Sequence, residues 1–180
     1  YAAIQEKDHL GAIKIYRIYN DLRFAKDKPP YKTHFGLYFG RLQPKYRGGY
    51  YLHLSPEQSF VGGGFFNPDP KDLLRIRQEI AQEGEHFSQI MNSEAVRSYF
   101  SGQLWGQEVK TTPKGFDKDD PMIDFLRKKQ FLLKRDFTLD QVLADSFFQE
   151  VVDTFVAMRP FYDFMTQALT TDANGEPLYN

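Results

Sequence analysis

The sequence predicts one α+β domain, an antiparallel β-meander packed against helices and closed by a long kinked C-terminal helix. Three observations lead there. Apolar residues alternate along the stretch from Ile13 to Phe66, as strands require. Helical spacing takes over at Leu73 and recurs in a strong stripe from Phe147 to Leu169, broken at Pro160. The 180 residues suffice for one substantial core. Residues 1–171 are expected to form this domain, and 172–180 a polar tail.

Ile13 to Tyr19 reads as a strand with Ile13, Ile15, Arg17 and Tyr19 on one face. Arg17 would then have apolar neighbours, where a guanidinium needs a partner. Pro29 and Pro30 fix the backbone and remove two donors, so Asp27–Pro30 is an ordered loop. Phe35 to Arg41 is the next strand, with Phe35, Leu37 and Phe39 on one face. A loop rich in glycine and basic residues spans Gln43 to Gly49. Tyr50 to Leu54 places Tyr50, Leu52 and Leu54 on one face and Tyr51 and His53 on the other. Ser55–Gln58 has turn chemistry, and Ser59 to Phe66 returns as a strand interrupted by Gly62-Gly63-Gly64.

Asp69-Pro70 supplies an N-cap and first-turn proline for a helix reaching about Gly84. Two shorter helices follow, over His86–Met91 and Ser93–Phe100. Residues 101–120 are irregular and carry Trp105, the only tryptophan. Pro121–Lys129 reads as a short helix and Phe131–Phe137 as a strand. The last helix begins near Asp145 or Ser146, with Phe147, Phe148, Val151, Val152, Phe155 and Val156 as its core stripe. Pro160 removes a backbone donor and kinks it.

Composition narrows the function classes. There is no cysteine, which excludes disulfides, thiolate metal sites and a cysteine nucleophile and fits a reducing compartment, so the expected location is cytoplasmic. No apolar run approaches the roughly 20 residues that cross a bilayer, so no membrane association is expected. A pI near 6.5 disfavours a general nucleic-acid binder. Positive charge is nonetheless concentrated: residues 17–47 hold eight Lys and Arg against two Asp, a local charge of +6, in a chain whose net charge is −1. Residues 48–180 sum to −7. Such a segment attracts phosphate, carboxylate or an acidic partner face.

Its core is Asp21-Leu22-Arg23-Phe24-Ala25-Lys26-Asp27-Lys28-Pro29-Pro30-Tyr31-Lys32-Thr33-His34, with Arg17-Ile18-Tyr19 upstream. Gly49-Tyr50-Tyr51-Leu52-His53-Leu54, Ser59-Phe60-Val61-Gly62-Gly63-Gly64 and Pro113-Lys114-Gly115-Phe116 follow. This succession resembles the bacterial and fungal family known as domain of unknown function 2461, over about the whole chain. The resemblance implies no activity, because that family has none established. It also implies an N-terminal helical segment ahead of this chain's start. Asn20 stands where the family more often has arginine.

The candidate ligand-binding residues are Arg17, Arg23, Lys26, Lys28, Tyr31, Lys32, His34, Tyr51 and His53. The cations would surround an anion, or Arg17 and Arg23 would pair with Asp21, Asp27 or carbonyls and pin the proline loop. His34 and His53 would meet if their strands pair, as an acid/base couple or as hydrogen-bonded sheet residues. No metal is expected, since no ligand motif is present and neighbouring cations repel one. No cofactor is expected either. Gly62–Gly64 matches no phosphate-binding fingerprint and reads as a bulge or a close crossing of the following helix. Asp117, Asp119 and Asp120 read as a solvated loop and helix cap.

Three classes remain. The first is a domain binding a small anionic ligand, the expected partner. The second is an enzyme on a phosphorylated or carboxylated substrate, with His34 or His53 as acid/base. The third, disfavoured by acidity elsewhere, is a nucleic-acid or protein interaction module stacking on Tyr16, Tyr19, Tyr31 and Tyr51. No catalytic residue and no protein partner is assigned.

Overall fold

The computed structural model describes residues 2–23, 27, 29–172 and 175–179. Its elements run α1 (Ala2–Gln5), β1 (Leu10–Ile15), β2 (Phe35–Arg41), β3 (Gly49–Leu54), β4 (Ser59–Phe65), α2 (Pro70–Gln82), α3 (Gly84–Met91), α4 (Glu94–Phe100), α5 (Ile123–Leu126), β5 (Phe131–Phe137), α6 (Leu139–Leu143), α7 (Phe147–Ala157) and α8 (Arg159–Thr170). The strands form one antiparallel sheet in the order β1-β2-β3-β4-β5. This is the α+β architecture that the alternation predicts.

Register assigns the faces. Phe39 pairs with Tyr50, Tyr50 with Gly63 and Gly63 with Leu133, and all of these point to the helical layer. There Phe155 of α7 packs on Phe39 and Tyr50, and Tyr162 of α8 packs on Tyr50. Tyr38 pairs with Tyr51, Tyr51 with Gly62 and Gly62 with Lys134, and these face the opposite side.

The covered face contains a buried ion network. Arg41 and Asp8 side chains are 0% and 1% exposed, with Arg41 Nε 2.8 Å from Asp8 Oδ2. Arg41 Nη2 donates to Asp8 Oδ1 at 3.2 Å and to Asp163 Oδ1 at 3.0 Å. Its Nη1 donates to Thr166 Oγ1 at 3.0 Å and to the Arg47 carbonyl at 3.3 Å. The Tyr50 hydroxyl donates to Asp8 Oδ2. Burial, then the neighbouring Tyr162, pushes the Tyr50 phenol far above its ordinary range. A buried guanidinium is tolerable only with its charge paired, and this network joins the turn after α1 to β2, β3 and α8.

Several expectations need correction. The first strand ends at Ile15, not Tyr19. β2 starts only at Phe35, so after Tyr16 donates to Gly36 the chain has no further partner on β2. It pairs instead with the proline loop's far arm, through Asn20 to Pro30 and Lys32 to Ile18. Arg17 is therefore exposed rather than set on an apolar face. The glycine run does not interrupt β4. The helix expected over Pro121–Lys129 shrinks to α5, and residues 138–144, unassigned from sequence, hold α6 behind a Thr138–Gln141 capping box. In the Phe147–Val156 stripe, Phe148 and Val156 are 62% and 37% exposed, because the helix buries a narrower face than the stripe suggests. Pro160 does bend the last helix, by 38°. The end of the tail folds back, with Leu178 N–H donating to the Thr170 carbonyl at 2.7 Å.

Candidate functional site: the open face of the sheet

Residues of odd parity on β3 and even parity on β2, β4 and β5 build the uncovered face. A groove of about 330 Å³ runs over it, lined by Tyr16, Tyr38, Gly49, Tyr51, Phe60, Gly62, Gly63, Gly64, Phe66, Trp105, Leu132, Leu133 and Lys134. No helix contributes to that lining. Trp105 arrives from the irregular segment because its N–H bonds to the Leu132 carbonyl at 2.7 Å, extending the β5 edge. Trp105 and Phe66 remain 50% and 65% exposed.

Local packing shapes the walls. The Tyr38 ring lies across Gly49, where a side chain would overlap its hydroxyl. Tyr51 covers Gly36, where an added Cβ would sit 2.7 Å from the Tyr51 oxygen. Burial raises both phenols above their ordinary range, with Tyr16 adding to it. Lys134 Nζ sits 4.9 Å from the Phe60 ring centroid and 5.5 Å from the Trp105 ring centroid. It also pairs with Asp136 at 2.8 Å. On the other flank Lys14 Nζ lies 4.9 Å from the Tyr16 ring. Cations over aromatic faces gain from the ring quadrupole and keep their charge at the rim of an apolar slot.

A second cavity of about 570 Å³ adjoins it through Tyr16 and is lined by Lys14, Ile15, Arg17, Tyr19, Asn20, Asp21, Arg23 and Lys32. This is the basic segment in three dimensions. Arg23 is held by Asp21, with Nη2 2.6 Å from Oδ2, and Asp21 is held below the usual carboxylate range chiefly by that hydrogen bond. Lys32 Nζ donates to the Arg17 carbonyl at 3.0 Å. Tyr31 stands outside the lining, its ring 5.3 Å from Tyr19. Lys26 and Lys28 lie outside the described residues.

His34 and His53 come together as their strands' pairing requires, but as a face-to-face stack with centroids 4.4 Å apart. Phe60 continues the stack at 4.8 Å from His53. Tyr51 Oη is 3.3 Å from His53 Nδ1. Burial, then His34 and Lys134, lowers the His53 pKa below its ordinary value. Neither imidazole lines the groove.

The sequence-derived residues thus divide into a basic cleft, a histidine stack and one groove wall, Tyr51. Sequence reasoning missed Tyr38, Phe60, Phe66, Trp105 and Lys134. The available signal was parity: Gly36, Tyr38, Gly40, Tyr51, Gly62 and Lys134 all fall opposite the apolar positions of their strands. Among the described residues no cluster of three or more His, Cys, Asp or Glu is placed to hold a metal ion. No helix among them is long and apolar enough to cross a membrane.

Comparison with curated proteins and with solved structures finds no match. A family model described as a conserved hypothetical protein, DUF2461, matches residues 2–164, in keeping with the motif succession, and the chain belongs to that family.

Proposed function

We propose that the protein binds a small anionic ligand whose apolar body lies in the open-face groove and whose acidic group meets the flanking cations. One observation carries this reading: a concave slot of rings and glycine backbone lies between Lys14 and Lys134 instead of under a helix. Ligand sites are typically concave and mostly apolar, with a few polar groups that fix orientation. Arg17 and Lys32, reached past Tyr16, extend the positive side. Arg23 adds less, being matched by Asp21.

An acid/base enzyme is less well supported. A reacting atom needs a place within hydrogen-bond reach of the base; neither His34 nor His53 lines the groove, and His53 Nδ1 faces the Tyr51 hydroxyl at 3.3 Å.

A thermal-shift panel tests the reading: aromatic acids, short acyl acids, inorganic phosphate and a short single-stranded RNA, against wild type, Lys134→Met and Arg17→Met. A ligand of the native state alone raises the melting temperature. We expect apolar acids to stabilise wild type and to lose most of that effect in Lys134→Met. Stabilisation by phosphate alone, lost in Arg17→Met, would confine binding to the basic cleft. Salt-sensitive stabilisation by RNA alone would replace the small-ligand reading with the nucleic-acid one. No shift with any probe would overturn it.

A further inference from the structure

Four glycines line the groove, Gly49, Gly62, Gly63 and Gly64. Three are accounted for by the fold. A side chain at Gly49 would overlap Tyr38. At Gly63 it would overlap the Tyr162 hydroxyl and lie 2.8 Å from Met158 Sδ. Gly64 has φ +129° and backs onto the Phe131 carbonyl. Gly62 has none of these reasons. Its φ is not positive, and an added Cβ would rest at 3.6 Å from the Leu133 carbonyl oxygen and 3.6 Å from the Phe60 ring, ordinary contact distances. Glycine inside a strand costs stability relative to alanine, and close approach of an occupant to the backbone is a use such a glycine serves.

The surroundings specify the occupant. Gly62 is flanked in register by Tyr51 on β3 and Lys134 on β5. Along β4 the next open-face position is Gly64, opposite Leu132. Tyr51 and Phe60 stand 5.8 Å apart between centroids, too close for a ring to pass between them. A ligand is thus directed along the glycine floor toward Trp105. Resting on the reading above, we propose that the ligand is a planar aromatic monoacid. Its ring lies face down on the Gly62–Gly64 backbone, its carboxylate reaches Lys134, and Gly62 is the residue that selects flatness. One acidic group matches the groove better than a dianion, because among the described residues Lys134 is its one lining cation and is already paired with Asp136.

The test is calorimetric titration with 2-naphthoate and with its saturated counterpart, decahydronaphthalene-2-carboxylate. These share the acid and the carbon skeleton and differ in thickness. Wild type should bind the flat acid at least about tenfold more tightly. Gly62→Leu, if folded by near-UV dichroism, should lose at least about tenfold for 2-naphthoate. Gly62→Ala, for which the fold has room, should lose affinity without losing stability, and it carries the test if the leucine variant does not fold. Equal affinity for the two acids, or unchanged affinity in Gly62→Ala, would overturn flatness selection while leaving the groove as a binding site. Failure of both acids together with every probe of the thermal panel would instead remove the groove reading itself.

Discussion

The two faces of the sheet are made from alternate residues of the same five strands, yet they treat charge and glycine in opposite ways. On the covered face Arg41 is sealed in, its charge paired with Asp8 and Asp163 and its Nη1 donating to Thr166. On the open face Lys134 and Lys14 hold their charges above rings at the edge of a slot. Gly63 points inward and is required by Tyr162, whereas at its neighbour Gly62, on the open face, an added Cβ would meet only ordinary contact distances. Residue type alone is therefore a poor guide to role. The buried cation is structural, Lys14 and Lys134 lie over rings at the groove's edge with Lys134 also paired to Asp136, and of two adjacent glycines one is needed for packing while the other has room for a methyl.

This contrast can be broken at several points. The largest effect is expected at Arg41. Truncating one member of a buried ion network strands the others, so Arg41→Ala should cost about 3–5 kcal/mol in urea unfolding. A loss below about 1 kcal/mol, the scale of exposed pairs, would show that the network does not hold the covered face together. Next comes the glycine pair. Gly63→Ala forces a methyl into Tyr162 and should cost about 1–3 kcal/mol, as overpacking does. Gly62→Ala should be neutral or gain up to about 1 kcal/mol, from removal of a strand glycine. Equal destabilisation by both would mean that Gly62 serves the fold and would end its assignment to the groove.

The smallest expected effect concerns pH. His53 has a folded-state pKa below its ordinary value of 6.5, through burial first and then His34 and Lys134. The unfolded chain binds that proton more readily, so stability is fully present above the ordinary imidazole range. It is lost as pH falls from there toward the folded-state pKa. Unfolding free energies measured across this window should decline toward acid, and His53→Gln should flatten the decline. An unchanged slope would place the acid sensitivity elsewhere.

Much of the fold was legible because strand alternation and helix caps are local. Phe131–Phe137, the Asp69-Pro70 helix start and the break at Pro160 all rest on a few neighbouring residues. The first strand was overextended because its alternation continues to Tyr19 while its partner strand stops at Phe35, a fact about another segment. The basic segment stood out by composition, and the meeting of His34 with His53 followed from pairing. The groove did not stand out, because its parts come from four strands, β2 to β5, and three loops, and only register unites them. Trp105 shows this well: nothing near it in sequence indicates that it will bridge to Leu132. Asp8 and Arg41 were missed likewise, being 33 residues apart.

Whether the open face is kept clear for a ligand is decided by backbone amide chemical-shift mapping with 2-naphthoate. Progressive shifts are expected at Tyr38, Tyr51, Gly62, Gly64, Trp105 and Lys134, with the Arg41 network undisturbed. Shifts concentrated elsewhere, or none at saturating probe, would contradict a ligand site on this face.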